Sequence, residues 1–489
     1  MDMRDYIAAL KKHGELLEIE DEVDWNLEAA AIATMSNRVG GPAVWFKKIK
    51  GYPKGYTMLG SPYAGKRHQC WRRMAITLGL DPNVSWNEWG RELAMRYTHP
   101  IKPTIVSSGP VKKNKMIGKD VNIFKFPLPY LHNGDGGRYG GTATTQISKD
   151  PDSDWVNWGN YRWMAHTKNK LGGDFQVGQH MSDMYYECER RGEPMPFCIA
   201  MGGDPAIFIA ATMAIPKGYS EVDFVGGMRM EPVELVRAET NNLLVPANAE
   251  FIIEGEVRPG ERWDEGPFGE FDGYMNTPRR PQPVYRINAI TWRDDPIWPF
   301  IVEGTRFNDS CSAVSANWGP ILAKAARASG MPVWNVINLP EASWAWPVWS
   351  TDVPDRGYIG ECSDFMWSMT FFVWVDKSSI TDPDVDLNDS SEFLEDFVTN
   401  VRHDRIYRSR ENKPMSNIVA WASIEEKLQG YNANLIYDTS THPGDEPKQR
   451  IKFETVLPED VQEKAIKKWK ELGFEEEFKL KKLESMFKV

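Results

Sequence analysis

Hydrophobic and polar positions change period several times along the chain, and each change marks a different kind of element. Met3, Ile7 and Leu10 fall on one helical face, with Gly14 placed to close that helix. Leu17 and Ile19 then alternate with acidic residues as a strand does, and 25–35 reads as a second helix. Residues 100–110, punctuated by Pro103 and Gly109, read as a linker. From about 120 the texture becomes short strands between glycine-rich turns. His132-Asn-Gly-Asp-Gly-Gly137 leads into Tyr139-Gly140-Gly141, and 142–147 looks extended. Residues 251–257 have strand patterning, and Tyr285, Ile287 and Ala289 alternate with Arg286 and Asn288.

Beyond about 305 the pattern turns α/β. Pro320 reads as the start of a helix through Ala328 that Gly330 closes, and 333–337 follows as a strand. The mostly apolar run 366–375 is half the length a membrane span needs, so it reads as a buried strand. Residues 376–389 read as a polar loop; Asp382, Asp384 and Asp386 imitate a calcium loop but lack its glycine and distal glutamate, which favours a plain strand-end loop. Near the end, Pro458 opens a helix with Glu459 and Asp460 in its first turn and Val461, Ala465, Trp469 and Leu472 on one face before Gly473. Such a helix docks on a partner subunit or folds back on its own domain. The shifts divide the chain into an N-terminal α/β domain over 1–115, a mostly β central domain over 116–305, a C-terminal α/β domain over 306–455, and a terminal helix and tail over 456–489.

Composition narrows the function classes. A net charge of -11, with no basic run interleaved with aromatics, argues against nucleic acid as a partner. No stretch predicts a membrane span or a secretory leader, and five cysteines (70, 188, 198, 311, 362) without Cys-x-x-Cys spacing fit a reducing cytoplasm. The first domain carries no phosphate-loop or dinucleotide fingerprint. The 132–137 glycine loop is a weak phosphate signal, since no lysine and no clear helix follow it. Twenty tryptophans, dense at 334, 344, 346 and 349, suit an aromatic pocket wall or ordinary core packing.

The stretch richest in candidate chemistry is Glu265-Gly266-Pro267-Phe268-Gly269-Glu270. Two glutamates five residues apart on a loop shaped by glycine and proline suit general acid/base work, although a surface turn can be spelled the same way. Three further segments belong with it: Trp155-Val-Asn157-Trp-Gly-Asn-Tyr-Arg162, Gln179-His180, and Ser220-Glu221-Val-Asp-Phe-Val-Gly226. Amide oxygen, imidazole and carboxylate from Asn157, His180 and Glu221 form a mixed donor set suited to Mn²⁺ or a similar ion.

These four segments, in this order, resemble the UbiD family of reversible decarboxylases, most closely its ferulic acid and aryl acid decarboxylase branch. The likeness is strongest over about 100–300, and Asp24-Trp-Asn-Leu-Glu-Ala-Ala-Ala31 and the helix around Trp469 are similar too. The resemblance implies a central split β-barrel holding prenylated FMN, with a divalent ion, usually Mn²⁺, on Asn157, His180 and Glu221 at the cofactor phosphate, and K⁺ nearby. It implies Trp155, Gln179 and Met213 around the cofactor, and Arg162, Glu265 and Glu270 as the catalytic set. Arg162 would clamp the substrate carboxylate, Glu265 would hold Arg162, and Glu270, its pKa raised by burial, would return a proton to the carbon that loses CO₂. The implied reaction is reversible non-oxidative decarboxylation of an aromatic, heteroaromatic or α,β-unsaturated acid through a covalent prenylated-FMN adduct, with aryl-CoA acids and either net direction open. A flavin prenyltransferase would supply the cofactor, and a cytoplasmic homo-oligomer, dimer or hexamer, is expected. The family's phosphate-contacting lysine has no clear counterpart around 356–375, and Thr305-Arg-Phe-Asn-Asp309 departs from the expected pattern. Two alternatives remain: a core or structural subunit of a multi-subunit aryl carboxylase, and a two-carboxylate hydrolase.

Overall fold

The first helix, Met3–Lys12, forms where its periodicity predicts. The Asp2 carboxylate accepts from the backbone of Arg4 and Asp5, Asp5 answers from its own side chain, and Met3, Tyr6, Ile7 and Leu10 are buried. They pack into a core with Leu59, Tyr63, Met74 and Trp89. We describe a computed structural model, which covers residues 1–481 except 67, 177, 214, 276, 306, 356, 370–373, 417, 447, 449, 477 and 479. Strands Leu16–Val23, Ala43–Ile49 and Thr57–Gly60 form a sheet whose fourth member, Ile297–Phe300, returns from far along the chain to pair in parallel with Thr57–Gly60.

The second helix is Glu28–Arg38, later than 25–35. Leu27 takes φ 70, and its N–H donates to the Tyr130 carbonyl, so the chain before Glu28 is drawn towards the 130s instead of into the helix. Trp25 stays outside, beneath the Arg138 guanidinium at 3.7 Å from the ring centroid. The 100–110 stretch is more than a linker: Thr104–Ile105 pairs with Glu234–Arg237, which pairs with Leu244–Pro246.

The centre is a nine-stranded antiparallel sheet. Its spine is Phe251–Glu265 against Arg280–Trp292. Met195–Met201, Thr144–Lys149 and Val156–Gly159 extend one side; Lys170–Gly173, Trp163–Thr167 and Arg138–Gly141 extend the other. Beneath it Phe126, Phe251, Trp292 and Trp298 pack in edge-to-face, tilted and stacked pairs, with centroids 4.9–6.1 Å apart.

In the C-terminal part the long helix begins at Asp309, not at Pro320, and runs to Ala328. Asn308 caps it by accepting from the Cys311 N–H. Pro320, inside the helix, cannot donate to the Ala316 carbonyl; that oxygen instead accepts the Trp89 indole N–H at 2.8 Å. The helix lies on Val333–Asn338, where Gly319 leaves room for the Val336 carbonyl. Val333–Asn338 belongs to a five-stranded sheet with Pro347–Thr351, Lys377–Thr381, Leu435–Asp438 and Ile406–Arg408.

Three expectations change here. Lys377–Thr381, the first part of the expected polar loop, is a strand whose Ser378, Ser379 and Thr381 are buried; small hydroxylated side chains disguised it. The loop proper starts at Asp382, whose carboxylate accepts from the Thr441 N–H and hydroxyl, while Asp384 pairs with Arg450 at 2.9 Å. The apolar run expected as a strand begins as the end of the helix Tyr358–Trp367, and its 370–373 lie outside the described residues. The terminal helix is Glu459–Lys468, shorter than its apolar stripe. Val461 and Leu472 are exposed, and Trp469 at the helix end stacks on Phe474 at 3.7 Å.

Candidate active site

The 265–270 loop leaves the end of Phe251–Glu265 and rests on the glycine-rich 132–137 turn. The Gly136 N–H donates to the Pro267 carbonyl, and the Gly269 N–H donates to Asp135 at 3.0 Å. Asp135 also engages the His132 ring at 3.1 Å, which holds that imidazole more basic than usual against the opposing effect of burial. Gly266 takes φ 88, and a side chain at Gly269 would place its Cβ 2.6 Å from the His132 ring. The glycines at 132–137 therefore brace the carboxylate loop.

Arg162 enters from the opposite side, on the segment before Trp163–Thr167. Its Nε and Nη2 donate to the two oxygens of Glu265 at 3.1 and 3.0 Å, a bidentate pair, and its Nη1 pairs with Glu270. Glu265 is fully buried and Glu270 is nearly so. The arrangement thus brings the expected Arg162, Glu265 and Glu270 together on one guanidinium.

Sequence reasoning missed the rest of this network. Tyr139 donates to Glu265 at 2.7 Å, and Thr277 donates to Glu270 at 2.9 Å. Asp174 lies 3.5 Å from Arg162 and receives Arg280 and Gln176, each at 2.6 Å. A faint signal existed: Asp174 follows Gly172-Gly173 at the end of a strand, and Arg280 stands opposite Glu265 in the hairpin register.

One cavity of about 830 Å³ connects these groups to the other candidates. Arg162 and Glu270 line it together with Asn157, Gln179, His180, Met213 and Glu221. His180 is the first residue of the helix His180–Arg191 and Glu221 the first of Glu221–Arg229, so two helix N-termini open at this end. Burial keeps His180 less basic than usual, hence neutral. Glu221 is buried with the Trp158 N–H on one oxygen at 2.6 Å, and burial pushes its carboxyl up to about 8. Asn157 gives its amide N–H to Tyr161 at 3.3 Å, which leaves the carbonyl oxygen as its donor atom for a cation. Among the described residues no group of three or more His, Cys, Asp or Glu is placed to share a metal, so any ion here relies on the Asn157 amide as well.

Trp155 does not reach the cavity wall; it packs edge-on against His180 at 5.0 Å and donates to the Tyr219 carbonyl, which makes it a support for that imidazole. Of the dense tryptophans at 334, 344, 346 and 349 only Trp344 lines the cavity, and the rest of its aromatic wall comes from elsewhere, Trp318, Phe271 and Trp374 among them. Lys324 lines the cavity and donates to the Ala94 carbonyl at 3.3 Å. Arg356 and 370–373, within the stretch where the resemblance implies a phosphate-contacting lysine, lie outside the described residues.

Known proteins share this arrangement of the chain. The family model for the 3-octaprenyl-4-hydroxybenzoate carboxy-lyase Rift-related domain matches 104–306, and the model for the carboxy-lyase N-terminal domain matches 7–93. The pyrrole-2-carboxylic acid decarboxylase of Pseudomonas aeruginosa is 31% identical over 492 residues, covering 97% of this chain and 98% of the relative. Among solved structures, the vanillic acid decarboxylase of Sedimentibacter hydroxybenzoicus in its closed form superposes with a TM-score of 0.85 at 26% identity, over 96% of this chain and 98% of that one. An evolved dimeric form of HmfF from Pelotomaculum thermopropionicum, in complex with prFMN, gives 0.76 at 25% identity, over 94% and 99%.

Proposed function

Because the chain belongs to the UbiD family of carboxy-lyases, we propose that it catalyses reversible, non-oxidative decarboxylation of an aromatic, heteroaromatic or α,β-unsaturated acid with prenylated FMN as cofactor. In this reading 116–305 is the flavin-binding split barrel, set between the 1–115 and 306–455 α/β domains.

The residues present fit the cofactor and its ion. A buried Glu221 with no cation beside it among the described residues is costly as an anion, and a divalent ion would satisfy it. Neutral His180 and the Asn157 oxygen complete a donor set for Mn²⁺, and the two helix N-termini favour a phosphate. Gln179 and Met213 line the same end. The cavity volume of about 830 Å³ leaves space for a small acid beside a bound flavin, at the upper end of ordinary sites. When bound, the prenylated flavin supplies an electron sink for the carbanion that departing CO₂ leaves.

The observation that carries the proposal is the charge balance around Arg162. Three carboxylates (Asp174, Glu265, Glu270) share two guanidiniums (Arg162, Arg280), one cation too few. Holding one proton neutralises the set. Glu265, gripped on both oxygens, is the structural anion; Glu270, held on one oxygen by Arg162 and Thr277, is placed to carry the proton. A protonated Glu270 releases its hold on Nη1, freeing that edge of Arg162 for the substrate carboxylate, and its proton then goes to the carbon. The same geometry disfavours a two-carboxylate hydrolase, in which one glutamate must be free to attack or to activate water.

The test is direct. The chain is produced alongside a flavin prenyltransferase, the acid-released cofactor is identified by absorbance and mass, and aryl acids are screened for CO₂ release. Glu270→Gln is expected to retain cofactor and to lose at least about a hundredfold in turnover. Near-normal turnover in that variant would sink the assignment, and an inactive but correctly loaded wild-type chain would favour a subunit of a larger carboxylase.

A further inference from the structure

The cavity has an acidic corner that the reaction above leaves unused. Glu303 lines the cavity and is 9% exposed. One carboxylate oxygen accepts from Asn308 Nδ2 at 2.9 Å and the other accepts from the Ser310 hydroxyl. Both donors are neutral, and among the described residues no lysine or arginine forms an ion pair with it. The His132 ring touches only its main-chain carbonyl, at 3.2 Å, and Asp309 adds a like charge nearby. Burial pushes the carboxyl up to about 7. A carboxylate offers about four acceptor positions, and two donors leave the remainder to whatever fills the cavity.

The corner adjoins the catalytic loop. Gly304, next to Glu303 in the chain, lies against the 270–273 turn, where an added Cβ would sit 3.4 Å from the Glu270 carbonyl oxygen. Phe271 stacks on Trp344 at 4.5 Å and Trp318 meets Trp344 edge-on at 5.4 Å, both beside the same space. A flat ring held against these aromatic faces, with its carboxylate at Arg162, would have a polar edge to present to Glu303.

We infer that Glu303, set by Asn308 and Ser310, accepts a hydrogen bond from a hydroxyl on the substrate ring and so selects hydroxylated aryl acids over rings that lack the donor. This rests on the reading of the cavity as an aryl acid site. A buried acceptor discriminates strongly, because a ring without the donor leaves it unsatisfied while an apolar wall would tolerate either ring.

The holoenzyme is titrated with benzoate, 3- and 4-hydroxybenzoate, 3,4-dihydroxybenzoate and the corresponding methyl ethers, with binding read by tryptophan fluorescence. Carbon dioxide release is recorded separately. At least one hydroxylated acid should bind tenfold or more tightly than benzoate and than its methyl ether, which cannot donate. Glu303→Gln should cut that ratio by roughly tenfold to a hundredfold. Ser310→Ala, which keeps the carboxylate but loosens it, should cut it less, and carries the test alone if the first variant does not fold. Equal binding of hydroxylated and unsubstituted acids, or a preference untouched by both substitutions, overturns the inference. Carbon dioxide release without any hydroxyl preference refutes Glu303 and leaves the decarboxylase standing. A Glu303-dependent preference without carbon dioxide release supports the acceptor and removes the decarboxylase.

Discussion

The phenol of Tyr139 gives the sharpest check on the proposed catalytic network, since it touches neither of the groups proposed to meet the substrate. It is fully buried, donates to Glu265 at 2.7 Å, and packs on Phe268 with centroids 4.3 Å apart. Tyr139→Phe removes one hydroxyl and keeps the ring in place. Among the described residues Glu265 would then retain the two Arg162 donors alone. A hydrogen bond to a charged group contributes about 1.5–3 kcal/mol, and about 1.4 kcal/mol is tenfold, so kcat/KM should fall roughly tenfold to a hundredfold. The assay is steady-state CO₂ release by holoenzyme preparations of equal flavin content. Because the phenol acts through Glu265, its effect should vanish when that carboxylate is gone: Tyr139→Phe added to Glu265→Gln should cost less than about threefold further. If Tyr139→Phe stays within twofold of the parent, or if the two penalties multiply, Tyr139 does not hold Arg162 through Glu265.

Two other outcomes follow from buried carboxylates elsewhere. Glu221→Ala should lower bound divalent metal, read by elemental analysis, and flavin per chain together, by about tenfold or more; full metal occupancy in that variant removes Glu221 from the proposed ligand set. Asp309 is buried at the start of its helix, and burial pushes its carboxyl from 3.8 to about 6 against the pull of the Tyr63 N–H and Arg73. The unfolded chain therefore binds fewer protons than the native one between about pH 4 and pH 6, so this group's stabilising share is present below that window, is lost as pH rises through it, and is level above. Asp309→Asn should accordingly be more favourable at pH 8 than at pH 4 by roughly 2–3 kcal/mol in urea titrations, and an equal effect at both pH values contradicts it.

What was legible in the chain was whatever is encoded locally. Met3, Ile7 and Leu10 showed their helix because their periodicity and the closing Gly14 lie within about a dozen residues. Residues 251–257 and the alternation around Tyr285 showed parts of two central strands for the same reason, but not that they pair or that the first runs on to Glu265. Pro320 misled because its usual place is a helix start; only Trp89, distant in sequence, supplies the donor that lets it sit inside one. Lys377–Thr381 was hidden because a strand buried on both faces need not be apolar when its side chains are as small as serine.

The site divides along the same line. Arg162, Glu265 and Glu270 stood out because they lie in distinctive short motifs, whereas Tyr139, Asp174, Thr277 and Arg280 reach the network from four other segments. These later members change the chemistry more than they change the list. With Arg162, Glu265 and Glu270 alone, one guanidinium faces two carboxylates; Asp174 and Arg280 enter as a compensating pair and preserve that single-charge deficit. The deficit is thus a property of the folded network, robust to its outer members; in the proposed mechanism it falls on Glu270, because Tyr139 and two of the Arg162 nitrogens already hold both oxygens of Glu265. On that proposal the proton donor is the carboxylate that the surrounding donors leave least satisfied, and only the assembled fold can specify which one it is.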